Sequence, residues 1–200
     1  MTAKAQNGRL DRREVIKKIL AGNGEVLAVG GLGNAGYDLV AARGEHPLNF
    51  TIHGAGMGGA PMVGLGLALV QPKRRVVVVL GDGDMLMGIG ALATIAAQRP
   101  ANLAIVVMDN ESYQETGDQA TATRFGVDIA GIAAAAGFPI ALKLDEPAGL
   151  DAAADKILNA AGPVLVNVKI SGAPAPQMSK IRDGVLMKLR FKEKLANSKG

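Results

Sequence analysis

Short apolar runs alternate with helical or small-residue segments along most of the chain. The two most apolar runs are 76–80 and 103–108, which are rich in valine and isoleucine. Continuous runs of this length, bounded by turn residues, are typical of strands that are buried on both faces. The predicted strands are 25–29, 49–52, 75–80, 103–108, 140–144 and 164–170.

Helical periodicity fills most of the intervals between these strands. In the first helix, Asp11 is placed to cap the N-terminus, and Val15, Ile16, Ile19 and Leu20 form an apolar stripe. Asp128 is placed to cap a later helix of small residues. The predicted helices are 11–21, 62–70, 85–98, 128–136 and 148–161. The polar segment 111–123 has no apolar period and predicts a long loop.

Alternation of strand and helix predicts an α/β fold. We expect a single three-layer domain over residues 1–172, with a mostly parallel sheet of about six strands and helices on both faces. Residues 173–200 are predicted to be a basic C-terminal tail or docking helix. The length of 200 residues and the 48% apolar content suit one core and leave little room for a second domain.

Composition narrows the possible chemistry. The chain has no cysteine, which excludes disulfides, thiolate zinc sites and a cysteine nucleophile. The N-terminus is charged, and no run reaches the roughly 20 apolar residues of a membrane span. We therefore expect a cytoplasmic protein that does not contact a membrane.

The positive charge is concentrated at the C-terminus. The net charge is +4, but residues 178–200 contain seven Lys or Arg and two acids, so the remainder is about neutral. A basic face for nucleic acid is therefore not predicted. The segment 180–195 is interpreted as a surface or partner-docking helix, with nucleic acid contact as the less favoured alternative.

Two glycine-rich loops follow the first two predicted strands. Gly31, Gly33 and Gly36 match the G-x-G-x-x-G pattern of dinucleotide sites, but that site also needs an acid after the next strand. The next strand instead ends at His53-Gly54, which favours a plain tight turn. The loop 53–61 either approaches a ligand or packs against a helix; its expected place at the same sheet edge favours the ligand.

The two central strands each deliver an oxygen-bearing side chain to that edge. Asp82 stands between Gly81 and Gly83, and Asn110 follows the next strand. One carboxylate, one amide oxygen and the backbone carbonyl of Ser112 form a set that suits Mg²⁺ and leaves positions for phosphate oxygens. The helix after Gly83 would direct its N-terminal amides at the same anion. The alternative is that Asp82 caps the helix and Asn110 makes a turn.

This pattern resembles a known family. Gly81-Asp82-Gly83, then 26 residues, then Asn110, is similar to the thiamine diphosphate fingerprint. Two departures are Asp109, where the family has a first Asn, and Asp84, where it commonly has a small or hydroxyl residue. The charge of Asp84 would be unfavourable against phosphates, so we expect it to point away or to bind through its backbone.

The resemblance covers nearly the whole chain. It is strongest to the diphosphate-binding subunits of sulfopyruvate decarboxylase and to the corresponding module of phosphonopyruvate decarboxylase. The segments GLGLALVQPKRRVVVVLGDGDMLMGIGALATIA and DNESYQETGDQ carry it.

The resemblance implies specific roles for residues. Met57 would hold the cofactor in its bent form, and the carbonyl of Ala55 would accept from the aminopyrimidine. Three further candidates come from their positions in the sequence and not from the resemblance. Glu115, in the polar loop, is a candidate catalytic residue for proton transfer. His53, which is also a candidate catalytic residue, and Arg124 are candidates for contact with an anionic substrate group. The implied metal ligands are Asp82, Asn110 and Ser112. The implied cofactor-binding residues are Ala55, Gly56, Met57, Gly81, Asp82, Gly83, Asp84, Asn110, Ser112 and Tyr113.

The same resemblance implies an incomplete active site. Thiamine enzymes need a Glu from a pyrimidine-binding module, which is not the module seen here. We therefore expect a hetero-oligomer that decarboxylates a small 2-oxo acid, with a partner subunit that supplies the Glu and covers Met57. The alternatives are an acetolactate-type carboligase, a 2-oxoacid oxidoreductase subunit and a noncatalytic dinucleotide-binding module.

Overall fold

The computed structural model describes residues 9–51, 56–172 and 180–198. The sheet strands are β1 (Leu27–Gly30), β2 (Asn49–Thr51), β3 (Val76–Gly81), β4 (Leu103–Asp109), β7 (Ile140–Leu144) and β8 (Val164–Lys169), and a separate hairpin contains β5 (Ser112–Tyr113) and β6 (Gln119–Ala120). The helices are α1 (Arg12–Leu20), α2 (Asn34–Arg43), α3 (Ala60–Val70), α4 (Asp82–Met87), α5 (Ala91–Gln98), α6 (Ile129–Ala136), α7 (Leu150–Asn159) and α8 (Gly184–Asn197).

The six sheet strands lie in the order β2-β1-β3-β4-β8-β7, and every neighbouring pair is parallel. The predicted fold class is therefore confirmed. Gly81 is paired with Met108 in the register of β3 and β4. Residues that follow the two central strands therefore meet at one edge of the sheet.

Both faces of the sheet are covered by helices. Along β3, Val76, Val78 and Leu80 belong to the core on the side of α3, α5 and α6. Val77 and Val79 alternate to the other side, where α1, α2 and α7 pack. This arrangement explains why the central strands are apolar without interruption: neither face meets water.

Both predicted caps are confirmed. The carboxylate of Asp11 accepts from the backbone N–H of Arg13 at 2.8 Å, and that of Asp128 accepts from the N–H of Gly131 at 3.0 Å. The predicted stripe of α1 is also buried. These were local signals, so the sequence was sufficient to find them.

The prediction of one helix over 85–98 is wrong. The segment forms α4 and α5, which are separated at Gly88–Gly90, and α4 already begins at Asp82. The backbone of Gly88 lies directly against that of Gly58, so a Cβ on either glycine would overlap the other loop. The close approach of a second loop thus fixes the break.

The prediction of a long loop over 111–123 is also incomplete. Strands β5 and β6 pair as a short antiparallel hairpin, with Ser112 opposite Ala120. Two 3-10 turns, Gln114–Thr116 and Ala122–Phe125, accompany it. Each strand of the hairpin is only two residues long, so it has no alternation of apolar residues from which it could be predicted.

The C-terminal helix α8 packs against the edge of the sheet at β2. Met187 and Phe191 are buried there, and the rings of Phe50 and Phe191 make an edge-to-face contact at 5.5 Å between centroids. Arg190 donates to the carbonyl of Glu45 at 2.9 Å. In the described ranges, no helix has the length and apolar character needed to cross a bilayer.

Candidate cofactor site

A cleft of about 130 Å³ opens at the carboxyl edge of β1, β3 and β4. The N-termini of α2 and α4 face it, and the hairpin covers one side. We call it the carboxyl-edge cleft. Its lining is formed by Arg12, Leu32–Ala35, Met57, Gly81–Asp84, Met87, Met108, Asn110 and Ser112–Thr116.

Asp82 is fixed by two threonine hydroxyls that the sequence analysis missed. Thr121 and Thr123 donate to its Oδ2 at 2.5 and 3.0 Å. Burial raises the pKa of Asp82, the hydroxyls oppose that shift, and the nearby charge of Asp109 adds to it. The carboxylate is therefore held in one orientation at the cleft, where its charge has little solvent to stabilise it and favours a bound cation.

Asn110 and Asp82 follow the neighbouring strands β4 and β3, and both line the cleft. The Oδ1 of Asn110 accepts from the backbone N–H of Ser112 at 3.1 Å, and the hydroxyl of Ser112 donates to Asp118 at 2.9 Å. In the part of the chain described, no three His, Cys, Asp or Glu side chains form a metal cluster. Asp82, Asn110 and the carbonyl of Ser112 together offer one carboxylate and neutral oxygens, a set that fits Mg²⁺ better than a transition metal.

Asp84 connects two glycine loops. Its carboxylate accepts from the backbone N–H of Leu32 at 3.0 Å and from that of Gly58 at 2.5 Å. A Cβ on Gly31 would overlap this carboxylate. The side chain is thus directed at the backbone of both loops, and the glycine at position 31 leaves room for it.

The other predicted cofactor residues differ in how closely their surroundings pack. Gly83 lies against the ring of Tyr113, and a Cβ there would come within 2.5 Å of the ring, whereas nothing lies within 4 Å of the Cβ position at Gly81. The space above Gly81 is therefore open to a ligand. Gly56 is exposed with a φ of 74°, and Met57 beside it is 62% exposed.

The remaining candidates are not equally placed. Glu115 lines the cleft and lies next to Gly33, while Arg124 is on an exposed 3-10 turn outside the cleft lining. His53 and Ala55 lie outside the described residues. The loop with Gly31, Gly33 and Gly36 leads into α2 and belongs to the same cleft.

Asp109, one of the two departures from the family pattern, lies in a buried network of hydrogen bonds and an ion pair. It is fully buried and is contacted by Lys169 Nζ at 2.8 Å, Asn167 Nδ2 at 2.9 Å and the Thr123 hydroxyl at 2.8 Å. Burial would lower the pKa of Lys169, but hydrogen bonds to Asp109 and Glu111 outweigh it and raise the pKa. Asn167 and Lys169 interrupt the apolar pattern of the last strand, and that interruption was a signal for such a network.

A second buried ion pair joins Arg12 on α1 to Asp38 on α2. Arg12 Nε donates to Asp38 Oδ2 at 2.6 Å, and the Asp38 side chain is fully buried. Its other oxygen, Oδ1, has no partner among the described residues. Burial raises the pKa of Asp38 from its usual 3.8 to about 6, although Arg12 opposes this shift.

This pKa predicts a pH dependence of stability. Between about pH 4 and 6, Asp38 stays protonated in the folded chain but is ionised in the unfolded chain. Raising the pH through this range therefore favours the unfolded chain and lowers the free energy of unfolding. At about 1.4 kcal/mol per pKa unit, the loss is about 3 kcal/mol. Urea unfolding of wild type and Asp38→Asn at pH 4 to 7 should show their stability difference changing by that amount. Asp151→Asn, which alters an exposed carboxylate, is the control; a constant difference for Asp38→Asn would contradict the assignment.

Comparison with known proteins identifies the family of the chain. Residues 29–168 match the family model described as thiamine pyrophosphate enzyme, C-terminal TPP binding domain. The chain is similar to the sulfopyruvate decarboxylase subunit beta of Methanothermobacter thermautotrophicus, at 38% identity over 80% of this chain and 82% of that protein. The subunit beta of Methanocaldococcus jannaschii is 37% identical, over 63% of this chain and 66% of that protein.

A longer protein matches through the same region. The phosphonopyruvate decarboxylase of Streptomyces viridochromogenes is 43% identical over 57% of this chain, which corresponds to 28% of its own length. The family model covers β1 to β8 almost completely and includes the Gly81–Gly83 turn and Asn110. The resemblance inferred from the motif is therefore confirmed. The chain belongs to the thiamine pyrophosphate enzymes and carries their C-terminal TPP binding domain.

Proposed function

We propose that this chain is the diphosphate-binding subunit of a cytoplasmic, thiamine diphosphate- and Mg²⁺-dependent 2-oxo acid decarboxylase. The substrate is of the sulfopyruvate or phosphonopyruvate type, and the active site is shared with a pyrimidine-binding partner. The observation that carries the proposal is that Asp82, at the N-terminus of α4, lines one cleft together with Asn110 and exposed Met57.

Different groups of the cleft would bind the metal ion and the diphosphate. Asp82, Asn110 and the carbonyl of Ser112 would hold Mg²⁺, and the first amides of α4 would bind phosphate oxygens. When bound, thiamine diphosphate supplies the electron sink for loss of CO₂. Glu115 remains the candidate within the described cleft for moving a proton, and His53 remains a candidate for the anionic end of the substrate.

An exposed apolar surface supports the proposal of a partner subunit. Met57, Met62, Leu69 and Val70 are all exposed, three of them on α3. Large exposed apolar patches mark interaction sites. This chain matches 82% of the length of the subunit beta from Methanothermobacter thermautotrophicus. It matches 28% of the length of the longer phosphonopyruvate decarboxylase. We infer that the partner covers Met57 and α3 and supplies the catalytic Glu.

The test is calorimetric titration of thiamine diphosphate with and without Mg²⁺. It uses this chain alone and in complex with the chain encoded beside its gene, followed by CO₂ release from 3-sulfopyruvate and 3-phosphonopyruvate. We expect Mg²⁺-dependent binding that is tightest in the complex, and decarboxylation of one of these acids. Acetolactate formation from pyruvate would instead support the carboligase, and NAD binding without thiamine diphosphate binding would support the dinucleotide module.

Met57 provides a prediction about turnover. We expect Met57→Ala to lower kcat by about 10- to 100-fold, because a loosened cofactor misplaces the reacting atoms. The dissociation constant of thiamine diphosphate should change less, since the diphosphate contacts remain. Met57→Leu keeps the bulk and should retain most of the activity. An unchanged kcat in Met57→Ala would remove Met57 from this role.

A further inference from the structure

The guanidinium of Arg12 is buried at the cleft, and most of its donors have no partner among the described residues. Arg12 is the first residue of α1, and its side chain is 4% exposed. Its Nε donates to Asp38, and no other hydrogen bond of this side chain to a described residue is present. An arginine has five N–H donors, so the donors on Nη1 and Nη2 remain available. Arg12 also lines the carboxyl-edge cleft.

Asp38 fixes how this cation is presented. It holds Arg12 through Nε at 2.6 Å and is fully buried behind it, within α2. The Nη edge of the guanidinium is therefore the part that can reach the cleft. A buried arginine held by one partner in this way is preorganised for an oxyanion, because its planar fork matches two oxygens at once.

The charges of the cleft require such a cation. Among the described lining residues, Arg12 is the one cation, and the acids are Asp82, Asp84 and Glu115. Asp84 is engaged by two backbone amides, and Asp82 is placed for a metal ion. A diphosphate brings more negative charge than one Mg²⁺ balances next to these carboxylates. The amides of α2 and α4 reduce the imbalance only partly, since each helix terminus carries about half a charge.

We propose that Arg12 binds the terminal phosphate of thiamine diphosphate, with Asp38 as its positioning residue. This inference rests on the proposed function and extends it by one residue that the fingerprint does not contain. The chemistry is recognition of a tetrahedral oxyanion. The other possible source of that oxyanion is the sulfonate or phosphonate of the substrate, and the experiment separates the two.

The experiment compares thiamine diphosphate with thiamine monophosphate, which lacks the terminal phosphate. Removal of Arg12 alone would leave Asp38 buried without a partner and could unfold the chain. The variant is therefore Arg12→Gln/Asp38→Asn, in which the two amides can hydrogen-bond to each other. The matched control is Arg13→Gln, since Arg13 is the next residue on α1 and is paired with Asp11 near the surface. Dissociation constants are measured with Mg²⁺ and without substrate, on the subunit in complex with its partner.

We expect the double variant to bind thiamine diphosphate about 10- to 100-fold more weakly, the range for a lost charge-assisted hydrogen bond to a buried group. Its affinity for thiamine monophosphate should be nearly unchanged, and Arg13→Gln should behave as wild type. An equal loss for both ligands, or no loss for either in a folded variant, would overturn the assignment.

A second measurement, the KM for the substrate, shows whether Arg12 binds the substrate instead of the cofactor. If cofactor affinity is unchanged while KM for 3-sulfopyruvate rises, Arg12 binds the substrate anion and the proposal is wrong. If the wild-type complex does not bind thiamine diphosphate, the proposed function fails, and this inference fails with it. Wild-type binding with an unaffected double variant overturns only the role of Arg12.

Discussion

Asp82→Ala should abolish Mg²⁺-dependent binding of thiamine diphosphate. The variant removes the one carboxylate of the proposed metal-binding set, and the other two members, Asn110 and the carbonyl of Ser112, are neutral. Changes outside the first coordination shell already weaken metal binding by 10- to 100-fold, so loss of a charged ligand should cost at least about 100-fold. Calorimetric titration with and without Mg²⁺ measures the effect.

Two further variants show whether the loss is local. Asp82→Asn still accepts hydrogen bonds from Thr121 and Thr123, so it should fold normally while losing most of the metal affinity. Asp145→Ala removes a carboxylate that pairs with Lys143 at the surface and should bind as wild type. Unchanged metal affinity in both Asp82 variants would refute the metal assignment.

Lys169→Met should destabilise the fold more than any surface charge change. The substitution leaves the fully buried carboxylate of Asp109 without its cation, and removing one member of a buried pair costs about 3 to 5 kcal/mol. Glu111 would lose a partner as well. Urea denaturation should therefore show a free energy of unfolding lower by about that amount.

The double variant Asp109→Asn/Lys169→Met tests the cause. It removes the buried charge together with its partner, and Asn at position 109 is also the residue that the family pattern has there. Much of the lost stability should return. Lys143→Met breaks an exposed pair with Asp145 and should cost less than about 1 kcal/mol. A loss below that limit for Lys169→Met would show that Asp109 does not depend on Lys169.

The strands and the placement of Asp82 and Asn110 at one cleft were predictable, because each follows from a short stretch of sequence. An apolar run specifies a buried strand, and parallel strands bring their carboxyl ends to one edge. The break at Gly88 was not predictable in this way. It depends on contact with Gly58, which lies in another loop, and glycine alone does not say which backbone approaches it.

The supporting residues of the site show a similar limit. Thr121 and Thr123 are far from Asp82 in sequence and meet it only after the hairpin forms. Arg12 was different, because it stands at helical spacing from Val15, Ile16 and Ile19 on the apolar stripe of α1. A cation on a buried face needs a partner. The position of Arg12 was therefore a signal of a buried ion pair, which the hydrophobic pattern by itself does not indicate.

The two bonds of Asp84 have a consequence for how a ligand is received. They fasten the turn at Leu32 and the turn at Gly58 to the start of α4 when the chain folds. Backbone that is already restrained loses little conformational entropy on association, and prior restraint of this kind raises affinity. These two sides of the carboxyl-edge cleft are thus formed before a ligand binds. Binding at this part of the cleft therefore resembles association with a preorganised site more than closure of a mobile lid.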